Sequence, residues 1–160
     1  MIKSDPHWVF FTAAKVFLVN KGRILFIRES REYRDGSNRG VYDIPGGRLK
    51  TNESILAGLS REVREETGLS MAKDTIWPLA EKMWEVPKGA EIWRIHAHFF
   101  VAEVATDYVT LSKDHDDYVW MRPEKALHDL TLMKNHNELI DKMMGAFGHL
   151  FTANTQQVSL

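Results

Sequence analysis

Between the Pro45-Gly46-Gly47 turn and Gly68 the chain has room for one helix, and that helix carries acids along its core-facing edge. Residues 53–67 hold no proline and one internal glycine, Gly58. Ile55, Leu56, Leu59 and Val63 recur at helical spacing, which predicts an amphipathic helix. Thr51 and Asn52 are candidate N-caps, Glu53 in the first turn suits the helix dipole, and Gly68 is the expected stop. Glu62, Glu65 and Glu66 stand at i, i+3 and i+4, so they project from one face. At about 100° per residue, Glu66 falls close to the line of Ile55 and Leu59. A solvated acidic face would lie opposite that line. Three crowded carboxylates repel one another, and a hard cation such as Mg²⁺ or Mn²⁺ relieves the repulsion. Arg61, four residues before Glu65, is placed to hold that carboxylate. The competing explanation is a plain solvated helix, because glutamate is a good helix former.

The rest of the chain reads as one domain around this helix. Its 160 residues are 44% hydrophobic and 27% charged, which fits a single folded core and not a disordered chain. Residues 8–20 and 23–28 read as a hairpin across Asn20-Lys21-Gly22, with Lys15 interrupting the apolar run. Residues 29–42 are a polar loop. Residues 76–86 and 91–104 read as two strands joined by a loop at 87–90, and 117–121 as a short strand. Pro123 opens a short helix to Leu127. Residues 135–147 form an amphipathic helix with Leu139, Ile140, Met143, Met144 and Phe147 on one side. This is an α+β domain over residues 1–147, and 148–160 is expected to be a polar, frayed tail. No stretch is long and apolar enough for a membrane span, and no secretory signal is visible. There is no cysteine, which excludes thiolate zinc sites, iron–sulfur clusters and a cysteine nucleophile, and fits a cytoplasmic location. Net charge is −1, so no global field favours nucleic acid. Residues 1–50 carry a net +5 and 51–160 a net −6, so basic and acidic groups can meet in one site for an anion and a metal.

Residues 47–69, GRLKTNESILAGLSREVREETGL, resemble the Nudix box of the Nudix hydrolase family at every defining position, from Gly47 through Glu53 to Arg61-Glu62-Val63-Arg64-Glu65-Glu66-Thr67-Gly68-Leu69. With the flanking strands, the resemblance spans most of residues 8–147, and the chain is most similar to the small MutT-like type. The resemblance implies an α/β fold, an α/β/α sandwich with a mixed sheet. It implies Mg²⁺- or Mn²⁺-dependent hydrolysis of a diphosphate linkage in a nucleoside diphosphate derivative. Carried over, Glu62, Glu65 and Glu66 are the expected metal ligands, with the Gly47 carbonyl a further one. Glu53 and Arg61 are expected to orient the box, and Glu65 or Glu62 to act as general base.

Outside the box, residues 115–120, HDDYVW, resemble a stretch of GDP-mannose hydrolases, a subgroup that uses a histidine base. That makes His115 an alternative base, against the reading of a loop histidine with no proton-transfer role. Among the loop arginines Arg28, Arg31, Arg34 and Arg39, Arg28 and Arg39 are candidates to bind phosphate through the planar guanidinium fork. Trp84 and Trp93 are candidates to stack on a base. His96 and His98 alternate onto one strand face. They have no third partner in sequence, so a polar or substrate-lining face is expected there rather than zinc. The leading substrate is a nucleoside triphosphate, oxidised or not, cleaved to the monophosphate and pyrophosphate. A nucleotide sugar is the runner-up, and a non-catalytic nucleotide-sensing module the reading of another class. The partner expected is a small nucleotide, and a monomer and a homodimer are equally allowed.

Overall fold

The computed structural model describes residues 5–32 and 39–152. Strand β1 (His7–Asn20) turns at Lys21 and Gly22, whose φ angles of 49° and 72° suit a tight hairpin, into β2 (Arg23–Glu29). The two strands pair only at Val19–Ile24 and Asn20–Arg23, then part. Beyond that point β1 takes other neighbours: β4 (Gly46–Arg48), antiparallel, and β6 (Glu91–Glu103), parallel from His7–Glu91 to Val19–Glu103. Strand β2 pairs with β3 (Tyr42–Asp43) and β7 (His115–Met121). Strand β5 (Ile76–Lys88) closes the far edge, antiparallel to β6. The result is one mixed sheet in the order β3-β2-β1-β6-β5, with β4 on β1 and β7 on β2.

Helices cover both faces. On one side Leu59 and Val63 of α1 (Ile55–Thr67) pack with Ala14, Val16, Leu18, Leu25 and Ile27. On the other, Leu139, Ile140 and Met143 of α3 (His136–Phe147), with Ala126 of α2 (Pro123–Asp129), pack with Phe17, Val19, Ile24 and Phe26. Residues 16–19 are buried on both faces, which is why they read as an unbroken apolar run. The architecture is the α/β/α sandwich around a mixed sheet. Among the described residues no helix is long and apolar enough to cross a membrane.

Several boundaries differ from the sequence reading: β7 starts at His115, not 117, α2 runs to Asp129, not Leu127, α3 starts at His136, not 135, and three further differences bear on the site and the core. Helix α1 starts at Ile55, not 53. Its cap is Ser54, whose hydroxyl accepts from the Ala57 N–H at 3.2 Å, in place of Thr51 or Asn52. Glu53 therefore lies before the first turn, which holds no acid. The 87–90 loop shrinks to Gly89-Ala90, and Pro87 and Lys88 stay in β5 paired with Ile92 and Glu91. An edge strand tolerates a proline that a central one does not. The chain also remains packed past 147. Gly148–Leu150 forms a 3₁₀ turn, Phe151 is buried in the core at 4% exposure, and its carbonyl accepts from Arg122 Nη2 at 3.0 Å. Apolar burial of one aromatic ring holds the first part of the expected tail; residues 153–160 lie outside the described residues.

Candidate active site

The box folds as β4, a turn, and α1, and Arg61 is its hub. Its Nη2 and Nε donate to the two oxygens of Glu53 at 2.7 and 3.0 Å, a bidentate pair. Its Nη1 donates to Glu62 at 2.9 Å and to Glu65 at 3.2 Å, and Nη2 reaches the Arg48 carbonyl at 3.3 Å. Glu53 also accepts from the Lys50 N–H at 2.8 Å, which draws residues 50–53 out of the helix. The hydrogen bonds from Arg61 and then from Lys50 hold the Glu53 carboxyl down at about 2. Gly58 makes this packing possible. A Cβ there would stand 2.3 Å from Leu49 Cδ2 and 2.8 Å from Glu53 Oε1. Gly46 is the second required glycine. Its φ is 132°, and a Cβ would stand 2.2 Å from the Ala14 carbonyl oxygen.

That close approach of β4 to β1 brings the acids onto β4. Glu66 Oε2 accepts from the Gly46 N–H at 2.8 Å, and the Glu62 carboxylate lies against Gly47. Glu65 is the most open of these groups to solvent, with 58% of its side chain exposed against 18% for Glu62. Burial pushes the Glu66 carboxyl up to about 8, with Glu62 and Asp43 adding to the rise, while Lys15 and the Gly46 N–H pull against it. A cluster of hard oxygen donors on one helix edge and the adjoining strand fits a divalent cation of the Mg²⁺ or Mn²⁺ type. Glu62, Glu66 and Gly47 are thus brought together, and Glu65 is tied to them through Arg61.

Next to them is a polar trio that sequence reasoning missed, with Lys15 and Asp43 partly buried and His136 fully so. Lys15 on β1 forms an ion pair with Asp43 on β3, and Asp43 Oδ1 lies 2.7 Å from His136 Nε2 at the start of α3. Asp43 also accepts from the Ile44 N–H at 2.7 Å. Burial alone would raise the Asp43 carboxyl, but Lys15 and His136 override it and hold it well below the usual range. Lys15 loses to burial yet ends raised, because Asp43 and Glu66 stabilise its charge. His136 is 3% exposed, and its Nδ1 has no hydrogen-bond partner among the described residues. The available signal was Lys15 itself, a lone cation in an apolar strand, which is rarely buried without a partner. Nothing in sequence tied it to residues 28 and 121 positions away.

The other candidates fall around this centre. His115 opens β7, half-buried, with Nδ1 3.0 Å from Ser112 Oγ. Burial and then Lys15 lower its pKa against the pull of Asp43, Asp114 and Asp116, which favours the neutral imidazole. Arg28 is engaged by Asp116 at 2.7 Å, lies 3.8 Å from Asp117, and stacks 5.7 Å from the Tyr42 ring centre. Tyr42 in turn donates to Asp117. Arg39 is exposed at the end of the loop, and Arg34 lies outside the described residues. Trp84 lines a cavity of about 200 Å³ with Lys15, Lys82, Phe99, Lys134 and His136. Trp93 lies apart from that cavity, edge-on to Phe11 at 4.8 Å, with its indole N–H donating to Glu91 at 2.7 Å. Trp84 opposes Ile95 and Val86 opposes Trp93, so the two tryptophans share one sheet face, but only Trp84 lines the cavity.

The NUDIX domain family matches residues 9–143. The chain is 32% identical over 110 residues to the nucleoside triphosphatase NudI of Salmonella arizonae, covering 62% of this chain and 77% of that one. It is similar in structure to the MutT protein of Methanosarcina mazei, with a TM-score of 0.70, 28% identity, and coverage of 90% of this chain and 98% of the other. It shares its fold with a MutT Nudix hydrolase from Burkholderia pseudomallei, with a TM-score of 0.66, 20% identity, and coverage of 84% and 98%. With the box geometry, the sandwich and the family match in agreement, the chain belongs to the Nudix hydrolase family.

Proposed function

We propose that this hydrolase cleaves a nucleoside triphosphate to the monophosphate and pyrophosphate, using Mg²⁺ or Mn²⁺ held by Glu62, Glu65, Glu66 and the Gly47 carbonyl. The observation that carries the reading is Glu66. It is a carboxyl on the Gly46 N–H, raised to about 8 by its surroundings, in a box whose other acids are already positioned by Arg61. Those residues would hold a divalent ion, which would supply charge neutralisation on the diphosphate and acidify water at the site.

The chain's own groups supply the rest. Arg61 fixes Glu53, Glu62 and Glu65 before substrate arrives, so little reorganisation is left for the reaction. Glu65, the most solvent-open of the three, is placed to accept a proton from water, with Glu62 behind it. Lys15 sets a fixed positive charge between the box and the Trp84 cavity. That cavity, with an indole and three lysines, Lys15, Lys82 and Lys134, suits a nucleoside attached to phosphates. The nucleoside triphosphatase NudI among its relatives favours the same substrate class.

A second reading rests on His115. Half-buried, with its pKa lowered by burial and Lys15, its imidazole is favoured in the neutral form that a base on a nucleotide sugar needs. A substrate panel decides between them. Nucleoside triphosphates, 8-oxo-dGTP and nucleotide sugars are incubated with Mg²⁺ or Mn²⁺ and the wild type, Glu65→Gln or His115→Gln. Pyrophosphate and monophosphate, abolished by Glu65→Gln and kept by His115→Gln, support the triphosphate reading. Free sugar, abolished by His115→Gln, supports the other. No metal-dependent product from any substrate overturns both.

A further inference from the structure

We propose a second metal site on the opposite flank of the box, built by Glu81, His96 and His98, that takes a borderline transition ion of the Zn²⁺ type. His96 and His98 are two apart on β6, so both project from one face of the sheet, and their ring centroids are 4.9 Å apart. The third donor comes from the neighbouring strand. Glu81 of β5 is directly opposite His98, and its Oε2 is 3.2 Å from His96 Nε2. One donor atom from each of the three residues lies within 4.8 Å of the others. A tetrahedral ion with bonds of about 2.0–2.2 Å needs donors about 3.3–3.6 Å apart. The Glu81–His96 pair, at 3.2 Å, is already close to that spacing, and side-chain rotation brings His98 in to complete the set.

A bulge creates the arrangement. The β5–β6 register shifts between Pro78 and Ala80, so that Pro78 opposes Phe100 and Ala80 opposes Phe99. Without the extra residue Ala80 would oppose His98, and Glu81 would face the other side of the sheet with Ala97. The bulge at residue 79 re-aims Glu81 onto the histidine face. Sequence reasoning found the two histidines and no third ligand because Glu81 lies 15 residues upstream and depends on this shift.

The chemistry of the donors sets the ion. Two imidazoles and one carboxylate favour Zn²⁺, Co²⁺, Ni²⁺ or Cu²⁺ over Mg²⁺, whereas the box offers oxygens alone. Glu81 and His96 are exposed and His98 half-buried, so an ion has access and keeps room for water. Among the described residues Glu81 has no cationic partner besides His96, while Arg94, two residues before His96, is taken by Glu85. His98 also lines a cavity of about 520 Å³ shared with Arg48 and Glu53, so the site opens beside the outer side of the box. Bound there, the ion clamps edge strand β5 to β6. This inference does not depend on the proposed substrate.

The test is Zn²⁺ titration at pH 7.5 with millimolar Mg²⁺ present to hold the oxygen-donor box, followed by calorimetry and, with Co²⁺, by visible absorption. One ion per chain is expected. Glu81→Gln, His96→Gln and His98→Gln each weaken binding at least tenfold, and His128→Gln leaves it unchanged. Far-UV circular dichroism checks that each variant is folded. If one is not, the imidazole resonances of the wild type decide instead: Zn²⁺ must shift those of His96 and His98 and spare His128. No binding at tens of micromolar Zn²⁺, or an affinity unchanged in the His96 and His98 variants, overturns the proposal.

Discussion

Replacing Glu66 by glutamine removes a charge from a place that disfavours it, so the variant is expected to be more stable than the wild type at high pH when no divalent ion is present. The unfolded carboxyl ionises near 4.5, and the folded one is held up to about 8. Below pH 4.5 both states are protonated and the group contributes nothing. As pH rises to 8 the unfolded chain ionises while the folded one stays protonated, so wild-type stability falls, then levels off. Each tenfold change in acidity is worth about 1.4 kcal/mol, which makes the full loss at most about 5 kcal/mol. Water entry and side-chain relaxation reduce this to about 2–3 kcal/mol. Glutamine retains the carbonyl that accepts from the Gly46 N–H, so the substitution removes ionisation and spares the hydrogen bond. Asp43 is held far below this window and Lys15 above it, so neither titrates within it. Urea unfolding of both proteins from pH 5 to 9 in EDTA measures the difference. The advantage of Glu66→Gln should grow with pH and then vanish or reverse in Mg²⁺, which stabilises the wild-type carboxylate. A difference that is flat with pH, or untouched by Mg²⁺, refutes the reasoning.

Gly58→Ala should destabilise, although helix propensity alone predicts a gain of about 1 kcal/mol. Collision with Leu49 and Glu53 outweighs it, by about 1–3 kcal/mol in thermal unfolding. Arg61→Lys keeps the charge and loses the bidentate fork on Glu53, so kcat should fall about 10–100-fold in steady-state assays with the fold intact by circular dichroism. Asp43→Ala leaves Lys15 enclosed without its counter-ion and should cost about 3–5 kcal/mol in denaturant unfolding. The stability Asp43 supplies is present above its unfolded value of 3.8 and is lost as pH falls towards its depressed folded one. Trp84→Ala should raise KM with little change in kcat, because the indole lines the cavity and not the box.

What was legible in the sequence is what local periodicity encodes. The box helix, its acidic edge and the Gly68 stop appear as read, because spacing along one helix decides which side chains meet. Arg61 reaches Glu65 as the four-residue interval implies, but it also binds Glu53 and Glu62, and that makes it a hub rather than half of a pair. The cap falls at Ser54 instead of Thr51 or Asn52 because the hydrogen bonds to Glu53 from Arg61 and Lys50 hold residues 50–53 out of the helix. The Lys15–Asp43–His136 trio was illegible, since three chain-distant residues meet only through the β1–β3–α3 packing. His136 in particular reads as a polar helix start, yet it is buried. The parallel pairing of β1 with β6 leaves no local mark either. The sequence showed both strands and not that they are neighbours.

The most direct test of the central claim is the rate of pyrophosphate release from nucleoside triphosphates as Mg²⁺ is titrated, for wild type and Glu66→Gln side by side. The account predicts a rate that saturates with Mg²⁺ in the wild type, is abolished by EDTA, and falls at least about a hundredfold in the variant. Release that persists in EDTA, or that Glu66→Gln leaves undiminished at saturating Mg²⁺, would contradict it.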